Sequence, residues 1–251
     1  MLQLILSMKV HDPVIDRPLL ILAGGFGTRL RSVVSEVPKP LAPVRQKPFL
    51  YYLVEQWMAQ GVRSLTFLLH HEAERIEDFL DSEKREGILK ECELRTLTEP
   101  QPLGTGGAVA FAVRQLALDG SFLIANADTW LESGIHQVWD TPQPALAVVR
   151  VENSERYGAV QIQQNKVFDF KEKQQSAGPA WINAGLYHLH ADLFHDWNGR
   201  PFSLEQELFP RLVSEDSLRA VPLKTDFIDI GVPTDYFRFC RWIESGKRDT
   251  L

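Results

Sequence analysis

The stretch Leu19-Leu-Ile-Leu-Ala23, continued by Gly24-Gly-Phe-Gly-Thr-Arg-Leu30, indicates the fold of the chain. An uninterrupted apolar run that ends in two glycines is typical of a strand buried on both faces of a parallel sheet. The glycines let backbone N–H groups point into a concavity, to which Thr28 adds a hydroxyl and Arg29 a guanidinium. The stretch therefore predicts a strand that ends in a phosphate-binding loop.

Two common phosphate-binding motifs do not fit this loop. The dinucleotide-binding fingerprint requires a third small residue at the position of Leu30. A P-loop requires Gly-Lys followed by Ser or Thr, and the chain's only Gly-Lys pair, Gly246-Lys247, precedes Arg248. The loop is therefore of another phosphate-binding type. A nicotinamide-dependent oxidoreductase is disfavoured for the same reason.

Strand-like runs and helical patterns alternate through the first half of the chain. The predicted order after the first strand is a helix at 49–58, a strand at 65–69, an acidic helix around 73–80, a strand at 94–98, a helix at 106–118 and a strand at 122–125. Such alternation is typical of a parallel sheet with helices on both faces.

The pattern changes after Asp140. Shorter strands are predicted at 145–151, 159–163, 167–170 and 184–189, as an antiparallel or mixed extension of the same sheet. A helix at 203–210 would begin with a capping box made by Ser203 and Gln206, and a last helix spans 233–245. We predict an α/β fold with a Rossmann-like mixed, mainly parallel sheet in one domain, residues 1–251.

Composition narrows the class of protein. The chain has 251 residues, 44% of them hydrophobic, which is enough for a full core, and its net charge of −6 disfavours a nucleic-acid partner. Cys92 and Cys240 are too few for a disulfide scaffold and fit a reducing compartment. The apolar start, Met1 to Met8, lacks the features of a signal peptide, and no run is long enough to span a membrane. We expect a cytoplasmic protein without a membrane partner, with Met8 as an alternative start.

Basic residues are concentrated just after the first glycine loop. Within this stretch a single acid, Glu36, faces a group of cations: Arg29, Arg31, Lys39, Arg45 and Lys47. Pro38 and Pro40 restrict the backbone around Lys39, so its ammonium is carried by a stiff segment. Considered alone, Lys39 would be an exposed lysine in a proline turn.

Gly24–Leu30 followed by Pro38-Lys-Pro40 resembles the signature of the sugar-1-phosphate nucleotidyltransferases. The resemblance continues to about Tyr236 through a further series of ordered motifs: Pro102–Ala108, Asn126–Asp128, Phe170–Lys173, Ile182–Gly185 and Ile228–Gly231. It implies transfer of a nucleoside monophosphate from a nucleoside triphosphate to a sugar 1-phosphate, with release of pyrophosphate. The nucleotide would bind to the half at about 18–140 and the sugar to the half at about 141–251.

The resemblance also implies roles for the matching residues. The triphosphate would be held by Gly24, Gly25, Gly27, Thr28 and Arg29, and the catalytic residues would be Arg29, Lys39 and Asp128. Asp128 and Asp229 would hold Mg²⁺, which suits two carboxylates completed by substrate phosphates. For Asp229 the residues themselves add an argument, because a carboxylate between Ile228 and Ile230 is costly to bury without a partner.

The two remaining groups of implied residues bind the base and the sugar. The nucleobase would meet Leu22, Gln101, Gly104 and Thr105, and the sugar phosphate would meet Gly158, Glu172, Lys173, Asn183 and Gly185. Two positions depart from the family pattern: Ala127 replaces a common glycine, and Gln174 replaces a common proline. The methyl group of Ala127 would leave less space for the backbone to approach a ligand. Without proline at position 174, Lys173 would be held less firmly in place.

Overall likeness is greatest to the D-glycero-α-D-manno-heptose 1-phosphate guanylyltransferases, which implies GTP as the nucleotide and GDP-heptose, a precursor of cell-surface polysaccharide, as the product. The base loop itself leaves open a cytidylyl-, uridylyl- or thymidylyltransferase. A regulator that binds a nucleotide sugar without turnover is disfavoured, because Arg29 and Lys39 are both present. His70 and His71 favour a solvated turn over a metal site, and Trp57, Phe239 and Trp242 favour core or a homodimer contact.

Overall fold

The computed structural model describes residues 14–15, 17–171 and 178–246. In the first half, the helices and strands are β1 Leu19–Leu22, β2 Pro43–Val44, β3 Lys47–Pro48, α1 Phe49–Ala59, β4 Ser64–Leu69, α2 Ala73–Glu86, β5 Glu93–Thr98, α3 Gly104–Gln115, β6 Ser121–Asn126, β7 Thr129–Leu131 and α4 Ile135–Trp139. Short 3-10 turns at Thr28–Leu30 and Lys39–Leu41 follow β1.

The second half holds longer strands and fewer helices. Its elements are β8 Ala145–Val151, β9 Ala159–Gln163, β10 Lys166–Lys171, β11 Ala180–His190, α5 Phe209–Ser214, β12 Arg219–Leu223, β13 Phe227–Asp229 and α6 Pro233–Glu244. A 3-10 turn at Ala191–Phe194 and a π turn at Leu204–Leu208 precede α5. Among the described residues, no helix is both long and apolar enough to cross a membrane.

Within the described residues, a nine-stranded sheet runs through both halves, in the order β5-β4-β1-β6-β11-β8-β12-β10-β9. Strands β5, β4, β1 and β6 are parallel to one another, with β1 between β4 and β6. Strand β8 is parallel to β12. Strand β11 is antiparallel to both β6 and β8 and so joins the two halves. The predicted mixed α/β sheet, with an antiparallel extension after Asp140, is confirmed.

Helices cover both faces of the sheet, as the sequence predicts. Alternate residues of β1 face opposite sides: Leu19 and Ile21 pack with α1, α2 and α6, whereas Leu20 packs with α3 and α5. The residues that pack between the sheet and the helices on each face are mainly apolar and buried from solvent. Trp57, Phe239 and Trp242 all lie in the first layer, so of their two predicted roles the structure supports core packing.

Two predicted helices differ from the observed ones. Helix α3 begins at Gly104 and ends at Gln115, earlier at both ends than predicted. The predicted helix at 203–210 is a π turn that continues into α5, and Ser203 caps it by accepting the N–H groups of Glu205 and Gln206. The predicted reciprocal partner, Gln206, is wrong: the wider π turn places Glu207 within 3.3 Å of the Ser203 N–H instead.

Candidate active site

The first glycine loop lies open at the carboxyl end of β1. Gly25 has no atom within 4 Å of the position where a Cβ would stand, and Thr28 and Arg29 are exposed. Gly27 has a φ of +60°, which glycine adopts without strain, and its missing side chain lets Lys39 Cβ approach to 3.0 Å of the Cβ position. The close approach of Lys39 to Gly27 therefore places the Lys39 side chain beside the loop that carries Arg29.

Lys39 binds the two carboxylates that the sequence predicts as metal ligands. Its Nζ donates a hydrogen bond to Asp128 Oδ2 at 2.6 Å and lies 3.7 Å from Asp229 Oδ1. Asp128 follows β6, and Asp229 ends β13. These carboxylates meet because β13 pairs with β7, with Asp229 opposite Thr129.

Gly231 leaves room for this cluster. A Cβ at this glycine would stand 2.7 Å from Asp229 Oδ1 and 3.3 Å from both Arg29 Nη2 and Lys39 Nζ. Its N–H instead donates to Asp229 Oδ1 at 2.6 Å. The motif Ile228–Gly231 thus supplies a carboxylate and the space in which two cations approach it.

The two carboxylates have opposite electrostatic environments. Burial raises the pKa of Asp128, but the charge and hydrogen bond of Lys39 more than offset it, so the pKa lies below the ordinary value. Burial and the negative charge of Asp128 raise the pKa of Asp229, and Lys39 only partly opposes them. Such a pair of neighbouring carboxylates is stabilised by a cation, whether an ammonium or a metal ion.

The donor set is compatible with Mg²⁺. No group of three or more histidine, cysteine or acidic side chains that could hold a metal ion occurs within the described ranges. Asp128 and Asp229 are two carboxylates, each near Lys39 Nζ, that could hold a hard cation. Mg²⁺ is commonly held by one or two carboxylates together with waters and substrate phosphates.

Asp128, Lys39 and Arg29 line one cleft together with the first glycine loop. Its lining comprises Leu22, Ala23, Gly25, Gly27, Thr28, Arg29, Lys39, Pro40, Ala127, Asp128 and Gly231. Most of the residues predicted for the triphosphate end are thus brought together. The extra methyl of Ala127 is itself buried, at 2% exposure, and therefore does not project freely into the cleft.

The second glycine loop, at the start of α3, is filled by the protein itself. Gly104 has a φ of +72°, and a Cβ there would stand 2.6 Å from the carbonyl oxygen of Phe202. The N–H groups of Gly106 and Gly107 donate to that carbonyl at 3.0 and 3.2 Å. The Thr105 hydroxyl donates to Glu205 and accepts from the Leu204 N–H. The loop's glycines make room for chain rather than base at these positions, while Gln101 remains exposed.

A buried glutamate that sequence reasoning missed lies between the two loops. Glu99 follows β5 and is 7% exposed, and its Oε2 accepts the Leu103 N–H at 2.8 Å. Its Oε1 lies 3.1 Å from the Cβ position of Gly24. Burial raises the pKa of Glu99, with the Leu103 N–H and His70 opposing. The available signal was a glutamate placed directly between a strand and a proline.

His70 and His71 do not lie in a fully solvated turn as predicted. Both are half-buried, because Phe26 packs against their rings with centroids 6.0 and 5.1 Å away. His71 also contacts Arg31 at 3.1 Å. The histidines therefore support the first glycine loop, and the described part of the chain gives them no metal-binding cluster.

The predicted sugar pocket is described only in part. Asn183 Nδ2 donates to the Tyr187 hydroxyl at 2.9 Å, and Asn183 Oδ1 accepts the Gly185 N–H at 2.8 Å. Gly185 has a φ of +70°, with its Cβ position 2.8 Å from Asn126 Nδ2. Gly158 is exposed just before β9. Glu172 and Lys173 lie outside the described residues.

The fold and this cation-lined cleft define a nucleotidyltransferase, and comparison with known proteins agrees. The chain belongs to the nucleotidyl transferase family, whose model matches residues 19–245. It is 33% identical over 226 residues to a D-glycero-α-D-manno-heptose 1-phosphate guanylyltransferase of Campylobacter jejuni, covering 88% of this chain and 97% of the relative.

Two further relatives carry similar names or folds. A mannose-1-phosphate guanylyltransferase of Arabidopsis thaliana is 33% identical over 228 residues, and the match covers 86% of this chain but 62% of that longer relative. The crystal structure of HddC from Yersinia pseudotuberculosis has a TM-score of 0.79 and 33% identity, covering 90% of this chain and 99% of HddC. HddC has also been solved in complex with GMP-PN.

Proposed function

We propose that this protein transfers a guanylyl group from GTP to D-glycero-α-D-manno-heptose 1-phosphate, releasing pyrophosphate. The observation that carries the choice of guanine is the buried carboxylate of Glu99. It lies between the Gly24 loop and the loop that the family resemblance assigns to the nucleobase.

A carboxylate at this place favours guanine for a chemical reason. Guanine presents two adjacent donors, N1–H and the 2-amino group, and an ionised carboxylate is a pure acceptor. Adenine and cytosine each present a ring nitrogen acceptor beside their amino group, and uracil flanks its single N–H with two carbonyls. Each of these bases would leave Glu99 facing an acceptor, which is costly in a site of low exposure.

The phosphate end supplies the chemistry. An oxygen of the sugar 1-phosphate forms a bond to the α-phosphorus of GTP, while the bond from that phosphorus to the bridging oxygen breaks and pyrophosphate leaves. Arg29 and Lys39 place positive charge where phosphate charge accumulates, and they are pre-arranged by the Gly27 and Gly231 positions. Mg²⁺, when held by Asp128 and Asp229, would supply further charge neutralisation.

The proposed identity of the sugar substrate rests on similarity to named relatives rather than on contacts in the structure. Relatives named as heptose 1-phosphate guanylyltransferases come from Campylobacter jejuni and Aneurinibacillus thermoaerophilus, at 33% and 34% identity. Mannose 1-phosphate, the substrate named for the plant relatives, has the same ring without the extra carbon of the heptose. We assign the sugar phosphate to Gly158, Glu172, Lys173, Asn183 and Gly185.

A pyrophosphate-release assay tests both substrates at once. GTP, ITP, ATP, CTP and UTP are each combined with heptose 1-phosphate and mannose 1-phosphate in the presence of Mg²⁺. We expect the highest kcat/KM for GTP with the heptose, and a loss of about 10- to 100-fold for ITP, which lacks the 2-amino group. A higher kcat/KM for CTP or UTP than for GTP would remove the guanylyl assignment.

Glu99→Gln provides the matched test of the base contact. The variant keeps an acceptor for the Leu103 N–H, so the loop is preserved, but it exchanges the second acceptor for a donor. We expect the preference for GTP over ITP to fall at least fivefold. Glu93→Gln, which changes an exposed glutamate at the start of the preceding strand β5, is the control and should leave the preference unchanged.

A further inference from the structure

Glu205 lies where the base loop, the π turn and the sugar-pocket strand approach one another. Its Oε2 accepts two hydroxyl hydrogen bonds, from Thr105 at 2.7 Å and from Ser203 at 2.8 Å. Each hydroxyl is in turn an acceptor: Thr105 receives the Leu204 N–H, and Ser203 receives the Glu205 and Gln206 N–H groups. The single proton of each hydroxyl is thus committed to Glu205.

The backbone holds this carboxylate in one position. The Phe202 N–H donates to the Leu103 carbonyl at 3.0 Å, and the Phe202 carbonyl accepts from the start of α3. The π turn that follows widens the backbone, with the Leu208 N–H donating to the Ser203 carbonyl at 3.4 Å. Single π turns of this kind frequently occur at functional sites. Here the turn sets the direction of the Glu205 side chain.

The other carboxylate oxygen, Oε1, makes no hydrogen bond or ion pair within the described ranges of the chain. Glu205 is only half-buried, and Oε1 keeps its capacity to accept a hydrogen bond from a ligand. Its charge acts on the buried Tyr187: after desolvation, Glu205 is the largest cause that raises the pKa of that hydroxyl, and Asp128 acts in the same direction. The charges of Glu205 and Asp128 therefore both act on the Tyr187 hydroxyl, so these three groups share one polar region.

That region is where a sugar ring must lie if the proposed function holds. In the proposed function the triphosphate binds beside Asp128 and the base beside Glu99, so the ribose would lie between these two places. Thr105, from which Glu205 accepts a hydrogen bond, lies two residues after Leu103, whose N–H Glu99 accepts. Asn183, which shares the Tyr187 hydroxyl, belongs to the predicted sugar pocket. Both sugars of the reaction carry adjacent hydroxyl groups, which are good donors to a fixed carboxylate oxygen.

We propose that Glu205 is a specificity-determining residue whose Oε1 accepts a hydroxyl of a substrate sugar ring, while Oε2 is locked by Thr105 and Ser203. The ligand chemistry is a vicinal diol. Its source is either the ribose of the nucleotide or the ring of the sugar phosphate, and the experiment separates the two. The inference depends on the proposed function only for the presence of these two sugars.

The test uses Glu205→Gln, with Glu207→Gln as its control. Glutamine can keep one oxygen for the Thr105 and Ser203 hydroxyls, so the local structure is retained, but it replaces the free oxygen with a donor. Glu207 is the neighbouring exposed glutamate, which pairs with Arg200 at 2.7 Å and accepts the Ser203 N–H, and glutamine at 207 can still accept that hydrogen bond. KM is measured for GTP, 2′-deoxy-GTP and 3′-deoxy-GTP, and for the sugar 1-phosphate and its 2-deoxy and 3-deoxy analogues.

We expect Glu205→Gln to raise KM tenfold or more for one substrate, and to leave KM unchanged for the one analogue of it that lacks the bound hydroxyl. Loss of discrimination in the GTP series assigns the contact to ribose, and loss in the sugar series assigns it to the sugar phosphate. Equal KM values for wild type and variant across both series would overturn the proposal. So would a uniform loss for all substrates and analogues, which indicates a structural role.

Glu205→Asp keeps the experiment decisive if the glutamine variant does not fold. It retains the charge but withdraws the free oxygen by one methylene, so the same selective loss is expected. If the wild type does not turn over GTP, the nucleotide that it does accept replaces GTP in the series. Failure of the guanylyl assignment is therefore seen in the wild type, and failure of the Glu205 proposal only in the comparison of variants.

Discussion

Two glycine-rich loops of this molecule have similar compositions and opposite environments. In the loop after β1, Gly25 faces open space, and the neighbouring Thr28 and Arg29 are exposed. In the loop that begins α3, the space beside Gly104 is filled by the backbone of Phe202, and the space beside Gly106 is filled by its ring. The backbone of the first loop is open to a ligand, whereas the space beside the glycines of the second loop is filled by the protein's own chain.

A glycine in such a loop can leave space either for a ligand or for another part of the chain. A glycine makes room for whatever lies closest, and composition does not distinguish a phosphate from a phenylalanine. Substitutions at the open loop and its cations should therefore affect turnover, whereas substitutions at the filled loop should first affect folding. The predictions below test this division, in decreasing order of the expected effect.

The largest effect is expected at the two carboxylates beside the open loop. Asp128→Asn and Asp229→Asn should each lower kcat by roughly two to three orders of magnitude, because each removes a partner of Lys39 and the charge of a proposed Mg²⁺ ligand. Pyrophosphate release measures the change, and Asp119→Asn, an exposed aspartate, is the control. Turnover that persists in EDTA would contradict the metal role.

A smaller loss is expected at the cations. Lys39→Ala and Arg29→Ala should each lower kcat/KM by the equivalent of ~2–4 kcal/mol, the usual cost of removing a preorganised charge contact. Lys47→Ala removes a half-exposed lysine from the same basic stretch and should have little effect. If the loss for Lys39 is below about threefold, its ammonium is a structural partner of Asp128 and Asp229 only.

The filled loop is tested by Gly104→Ala against Gly25→Ala. Alanine at 104 meets a left-handed backbone and a carbonyl at 2.6 Å, so urea unfolding should show a loss of about 2 kcal/mol or more. Alanine at 25 meets open space and should change the free energy of unfolding by less than ~0.5 kcal/mol, while raising KM for the nucleotide. Equal stability losses at both positions would remove the distinction between the loops.

The smallest effect is a pH dependence that joins the two loops through Glu99. Because burial raises the pKa of Glu99, this carboxyl binds a proton at a higher pH than an exposed glutamate does. The proposed contact with guanine needs the ionised form of Glu99, so on that proposal KM for GTP should rise as the pH falls towards and through the raised pKa. In Glu99→Gln this dependence should disappear, and KM for the sugar phosphate serves as the internal reference.

The elements that the sequence predicts well are those that depend on local pattern. The runs at β1, β4 and β6 are apolar on both faces, and the helical spacing of α1 is unambiguous, so their existence and order are correct. The start of α3 was placed too late because glycine is a poor helix former. The bonds that extend the helix to Gly104 come from Phe202, nearly a hundred residues away, which no local pattern records.

The residues of the site likewise include some that a local sequence pattern predicts and others that it does not. The loop from Gly24 to Leu30 indicates phosphate binding by itself, whereas the pairing of Asp128 with Asp229 depends on strands β7 and β13, which are distant in sequence. Family resemblance supplied that pair. Glu99 was missed because a glutamate before a proline is typical of a solvated turn, and only its burial reveals a different environment.

Strand β11 has a consequence for any attempt to divide this enzyme. It belongs to the second half in sequence, yet it pairs with β6 of the first half from Leu186 to His190. A fragment ending near residue 140 would expose β6 as a long apolar sheet edge, which is prone to aggregation. Two such fragments produced together would have to re-form the pairing of β11 with β6, the pairing of β13 with β7 and the packing of α6 against α1, so activity recovered from the pair would report their association. The chain thus offers a split reporter whose signal depends on a shared sheet and a shared core.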